Sequence, residues 1–99
     1  ASYAASKAAV HVFSKAAGAQ YAEQGIRCNT VHPGPIETEM VREVLDAEPG
    51  MLERRLTRVP MRRLGKPEEV AAAVCFRGGE EASYITAAQL SVDGGAVAQ

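Results

Sequence analysis

Apolar positions recur at three- and four-residue steps near the start of the chain. Val10, Phe13, Ala17 and Tyr21 fall on one side of an alanine-rich run from residue 3 to about residue 23. That period predicts an α-helix. Gly18 interrupts it at a cost of about 1 kcal/mol relative to alanine, so either another backbone approaches there or the helix is weak. Gly25 is a natural end, and Ile26–Val31 then reads as a short strand. His32-Pro33-Gly34-Pro35 stops that strand in a rigid turn. Thr38 suits the N-cap of a helix from Glu39 to about Ala47, broken by Pro49-Gly50. A second short helix runs from about Met51 to Arg58.

Pro67, followed by Glu68 and Glu69, opens a further helix, with proline at its first position and acids at its positive end. Its apolar stripe is Val70, Ala73 and Val74, and the next member is Arg77. A buried, unpaired guanidinium costs several kcal/mol. Its head is therefore expected to reach water, Glu80 or Glu81, or the helix-end carbonyls. After Gly78-Gly79 an acidic turn leads to a last strand, Gln89–Val92, ended by Asp93-Gly94-Gly95. Strand, short helices, long helix and strand compose a βαβ unit with a right-handed crossover. The fold class is α/β, of the doubly wound parallel-sheet type, in which ligands bind beyond the carboxyl ends of the strands. His32–Thr38 and the loop after Asp93 occupy such ends.

Composition narrows the classes of function. With 46% hydrophobic and 23% charged residues the chain is globular rather than disordered. No apolar run approaches the roughly 20 residues that span a bilayer, and a net charge of −1 argues against a nucleic-acid partner. The basic run Arg54, Arg55, Arg58, Arg62, Arg63, Lys66 is flanked by acids and reads as a solvated face, with an anion site the alternative. Cys28 and Cys75, in apolar contexts, suit a reducing cytoplasm. Neither they nor His11 and His32 have metal-ligand spacing, so no metal is expected.

The candidate chemistry lies in Tyr3-Ala4-Ala5-Ser6-Lys7. Tyr3 and Lys7 are four apart and share a helix face. A phenol beside an ammonium is favoured as phenolate, which makes a general acid/base able to serve a carbonyl or an alcohol. Taken alone the spacing is common, and packing plus solvation would explain it equally.

Other motifs follow in order: Gly25-Ile26-Arg27-Cys28-Asn29-Thr30-Val31-x-Pro33-Gly34, Ile36-x-Thr38, Gly65-Lys66-Pro67-Glu68-Glu69-Val70, Ser83-Tyr84-Ile85-Thr86 and Val92-Asp93-Gly94-Gly95. Together with Tyr3-x-x-x-Lys7, this order resembles the carboxy-terminal half of a short-chain dehydrogenase/reductase, over the whole chain. The resemblance implies an NAD- or NADP-dependent oxidoreductase acting on a small-molecule carbonyl or secondary alcohol. It implies Tyr3 as acid/base, and Lys7 as the residue that assists it and hydrogen-bonds the nicotinamide ribose. It places Pro33-Gly34 against the nicotinamide, the Ile36 backbone on the carboxamide, and the Thr38 hydroxyl beside it. Residues 39–60 would be a substrate lid, and the parent a homotetramer. Residues 1–99 would then be one partial domain whose nucleotide-binding half, glycine-rich turn and catalytic serine lie upstream. A homologue that kept the fold as a binding protein, or a piece without independent function, is the alternative. Three positions depart from the family pattern. Ala87 stands where glycine is usual, Gln20 replaces a glutamate, and Arg77-Gly78-Gly79 replaces a small, apolar stretch.

Overall fold

The computed structural model describes residues 1–98; Gln99, the last residue of the expected domain, lies outside the described residues. The order of elements is α1 (Ser2–Gln20), β1 (Thr30–Pro33), α2 (Glu39–Ala47), α3 (Met51–Leu56), α4 (Pro67–Gly78) and β2 (Gln89–Val92), with short 3₁₀ turns between. β1 and β2 are neighbours in a two-stranded sheet. The backbone bonds Thr30 N–H to Ala88 O and Gly34 N–H to Val92 O keep one constant offset, which is parallel register. The α/β reading holds. The chain divides into two compact units, Ala1–Thr30 with Phe76–Leu90, and Val31–Cys75 with the residues from Ser91.

In the first unit α1 ends three residues earlier than its apolar period suggests. The chain tightens into a 3₁₀ turn over Ala22–Gln24, and Gly25 adopts the left-handed conformation at φ +76°. Gly18 is buried, and a Cβ there would lie 2.6 Å from the Ala87 amide nitrogen. A close backbone is thus the reason for the glycine. Ala87 itself has φ +58°, a region L-residues enter at a cost of about 1–2 kcal/mol. Thr86 and Ala87 tie three segments together. The Thr86 hydroxyl donates to Gly18 O and accepts from Cys28 N–H, while Ala87 N–H donates to Cys28 O.

The first strand corrects the expected Ile26–Val31. It starts at Thr30 and includes Pro33. Residues 26–29 lie before the strand, and Asn29 is bonded through its side chain. Asn29 Nδ2 donates to Ile85 O and its Oδ1 accepts from Ala88 N–H. Pro33 is tolerated because the ladder donors toward β2 are Thr30 and Gly34, an even spacing that leaves residue 33 facing away.

Arg77 is also corrected. Its Nη1 is buried with no hydrogen-bond partner among the described residues, and neither Glu80 nor Glu81 pairs with it. The helix-end carbonyls go instead to Arg27. Its Nη1 donates to Arg77 O at 2.7 Å and Ile85 O at 3.2 Å, and its Nη2 to Gly79 O at 3.1 Å. A guanidinium thus caps the negative end of α4.

In the second unit Thr38 caps α2 as expected, its hydroxyl accepting from Val41 N–H at 3.2 Å. α3 stops at Leu56, two residues short of the expected end, and turns close on Val59 and Arg62. Val59 is only 2% exposed and would touch a Cβ placed on Gly94, while Met61 N–H donates to Gly94 O. This moors residues 59–61 on the loop after β2. Asp93 shapes that loop by accepting from Gly95 N–H and Val97 N–H. At α4 the Glu69 carboxylate reaches back to Lys66 N–H at 2.9 Å, the reciprocal half of a capping box.

Candidate functional site

The phenol and the ammonium are set by the first two turns of α1. Tyr3 and Lys7 lie one above the other, with Lys7 Nζ 5.5 Å from the Tyr3 ring centroid. Both are exposed, Tyr3 at 73%. Ser6 secures the turn beneath the phenol by donating to Tyr3 O at 2.9 Å. The arrangement leaves the Tyr3 phenol exposed, with the Lys7 ammonium over its ring.

The remaining predicted site residues follow β1 in the second unit. Gly34 sits where a Cβ would meet Asp93 Cβ at 2.6 Å, so only glycine lets the ends of β1 and β2 lie this close. Ile36 forms an isolated parallel bridge with Gly65, made by Glu37 N–H to Gly65 O at 2.8 Å and Gly65 N–H to Pro35 O at 2.9 Å. The bridge uses the peptide groups on either side of Ile36 and spends neither the N–H nor the C=O of Ile36 itself. Thr38 accepts one bond as a cap and keeps its hydroxyl proton to donate. Pro33, Gly34, Ile36 and Thr38 thus share one short run, whereas Tyr3 and Lys7 belong to the other unit.

Sequence reasoning did not single out a cavity of about 340 Å³ within the second unit, lined by Pro35, Met61, Arg63, Gly65, Glu69 and Asp93 among others. Arg63 holds Glu69 through two parallel bonds of 2.8 and 2.9 Å. The Arg63 guanidinium and the Lys66 amide hold the Glu69 carboxyl down at about 2, and Glu69 in turn raises the Arg63 guanidinium. Arg63 is therefore a paired residue, not part of a merely solvated face. The six-residue spacing gave no helix-type signal for the pair, because α4 begins between its members.

Residues 1–97 match the family model described as enoyl-(acyl carrier protein) reductase. The chain is 45% identical over 94 residues to galactitol 2-dehydrogenase (L-tagatose-forming) of Cereibacter sphaeroides, covering 95% of the chain and 37% of the relative. It is 45% identical over 95 residues to the 3-oxoacyl-[acyl-carrier-protein] reductase of Salmonella typhimurium, covering 96% and 38%. The chain belongs to the short-chain dehydrogenase/reductase family. A putative 2-deoxy-D-gluconate 3-dehydrogenase from Agrobacterium tumefaciens, solved with bound NADP, superimposes with a TM-score of 0.90 at 37% identity, covering 99% of this chain and 39% of that one. The doubly wound parallel-sheet fold is therefore established, and the chain spans a little over a third of these relatives' length.

Proposed function

We propose that the chain forms the substrate-oxygen and nicotinamide side of an NAD- or NADP-dependent oxidoreductase acting on a carbonyl or secondary alcohol. The observation that carries the reading is the exposed Tyr3–Lys7 pair on α1. In reduction the Tyr3 phenol gives its proton to the substrate oxygen as the carbonyl carbon accepts hydride; in oxidation Tyr3 takes the alcohol proton. Lys7 stabilises the phenolate between these events and offers its remaining N–H groups to a ribose. The nicotinamide supplies or accepts the hydride when bound. The residues after β1 fit its amide, which needs both a donor and an acceptor. Among the described residues Ile36 has an unspent N–H and C=O, and Thr38 has a free hydroxyl proton. Gly34 and Pro33 present a surface without a bulky side chain. The family's NADP-bound structures support the cofactor class. Relatives that act on a sugar alcohol and on an acyl thioester leave the substrate to residues outside this pair.

The test is kinetic, in the full-length enzyme. Tyr3→Phe removes only the phenolic O–H, so kcat falls by about 10²–10⁴-fold while NAD(P)H binding persists. Lys7→Met weakens both. A Tyr3→Phe enzyme keeping more than about a tenth of kcat overturns the assignment. Sedimentation of the same protein checks the expected homotetramer, which a monomer at micromolar concentration would contradict.

A further inference from the structure

The charge of the chain is unevenly placed. Residues 51–66 carry six cations and one carboxylate, although the chain as a whole has a net charge of −1. Two arginines of this unit have carboxylate partners, Arg42 on Glu37 and Arg63 on Glu69. Arg54, Arg55, Arg58 and Arg62 have none among the described residues, and all four are exposed. Arg54 and Arg55 lie in the last turn of α3, where a cation favours the helix end. That accounts for little of the cluster, because Arg58 and Arg62 lie beyond the helix. Thr57 continues in helical conformation, so Arg58 comes within one turn of both Arg54 and Arg55. Like charges at that spacing, about 5–6 Å between Cβ atoms, repel.

The segment is also held firmly. Val59 is buried and Met61 N–H is bonded to Gly94 O, so the arginines are carried by an anchored stretch that leads directly into the cavity at Met61 and Arg63. Guanidinium forks match phosphate oxygens two bonds at a time, which ammonium groups do not. Three of them within one helical turn suit the small, multiply charged footprint of a phosphate ester. An acidic protein would spread its carboxylates over a longer track.

We propose that Arg54, Arg55 and Arg58 form an anion-docking surface that takes the phosphate-bearing handle of the substrate, with Arg62 at its edge. The proposal rests on the oxidoreductase reading only for calling that ligand a substrate. The test uses the full-length protein and the triple variant Arg54→Gln/Arg55→Gln/Arg58→Gln. Calorimetric titration with inorganic tripolyphosphate reads the surface directly, and the variant loses at least tenfold in affinity, as charge-assisted bonds of this kind require. Wild-type affinity falls steeply with added salt. Acetoacetyl-CoA and the neutral N-acetylcysteamine thioester of acetoacetate share one ketone, so the variant raises KM at least tenfold more for the first than for the second. Unchanged tripolyphosphate affinity in the variant overturns the proposal. So does equal damage to both thioesters, or binding of poly-L-glutamate as tight as that of tripolyphosphate, which marks an acidic-protein face. If neither thioester turns over but tripolyphosphate binding is lost in the variant, the anion surface stands and its assignment to a thioester substrate falls, while the oxidoreductase reading is decided by Tyr3→Phe. The triple Arg→Lys variant keeps the charge and restores part of the affinity, separating recognition from misfolding.

Discussion

Two arginines of the first unit occupy opposite energetic positions. Arg27 spends its guanidinium on three backbone carbonyls, Arg77 O, Gly79 O and Ile85 O, the last of which it shares with Asn29 Nδ2 and the second with Ala82 N–H. Among the described residues, Arg77 leaves Nη1 buried without a partner. Replacing Arg27 by Met removes all three charge-assisted bonds and strands Arg77 O, and is expected to destabilise the protein by about 2 kcal/mol or more, given 1.5–3 kcal/mol for a hydrogen bond to a charged group. Arg77→Leu removes an orphaned donor while the Arg77 carbonyl stays in place, and a modest rise in Tm is expected; a fall would show that the head is satisfied in solution. The apolar stripe of α4 made Arg77 conspicuous in the sequence. Arg27 was hidden inside a plausible strand, because nothing local tells an arginine that a helix fifty residues on ends in Gly78-Gly79 without a cap. Ala87 was legible as a departure from a family glycine, and its φ of +58° supplies the physical reason. Ala87→Gly relieves about 1–2 kcal/mol of left-handed strain and returns part of it as unfolded-state entropy, so a net gain of up to about 1 kcal/mol is expected in thermal melts.

At the scale of elements, the sequence was most readable where local chemistry decides. Thr38 as the cap of α2, Pro67 at the start of α4 and the limits of β2 all stand as expected. Boundaries failed where distant atoms decide. β1 starts late because Cys28 and Asn29 bond to Thr86, Ile85 and Ala88 instead of extending the ladder. Gly18 shows the same dependence, since its reason is Ala87. Gly18→Ala therefore forces a Cβ to 2.6 Å from a backbone nitrogen, and a clear loss of stability is expected despite alanine's better helix propensity. The start of α4 gives a pH signature. The Glu69 carboxyl is held by Arg63 and Lys66 N–H at about 2, below its ordinary 4.5. A depressed carboxyl stabilises the fold at neutral pH, and that contribution fades as pH falls from about 4.5 toward 2. Carboxyl NMR titration is expected to show Glu69 moving up toward the ordinary range in Arg63→Gln. An unmoved titration would mean that the ion pair does not persist in solution.

For the molecule as a whole, the order of helix, strand and turns was enough to reach the α/β class, because a βαβ unit admits one crossover hand and few arrangements. Burial could not be read the same way. The stripe on α1 has the period of a core-facing helix, yet Phe13 is 72% exposed and Val10 more than half exposed. Among the described residues, Val59 and Ala82 are the hydrophobic side chains that are fully buried. Ordering each residue costs about 1–2 kcal/mol in conformational entropy, and two strands with so little enclosed apolar surface do not offset it. These 99 residues expressed alone are therefore expected to melt without cooperativity, and the amide hydrogens of Thr30, Val31 and His32 to exchange rapidly with solvent. In the full-length protein the same amides are expected to be protected, because a parallel sheet is stable when both its faces are covered. Circular dichroism and hydrogen exchange on the two chains side by side make the comparison. A sharp thermal transition and protected β1 amides in a monomer of the 99 residues would show that the Thr86–Ala87 knot and the Gly94 mooring stabilise far more than their areas suggest.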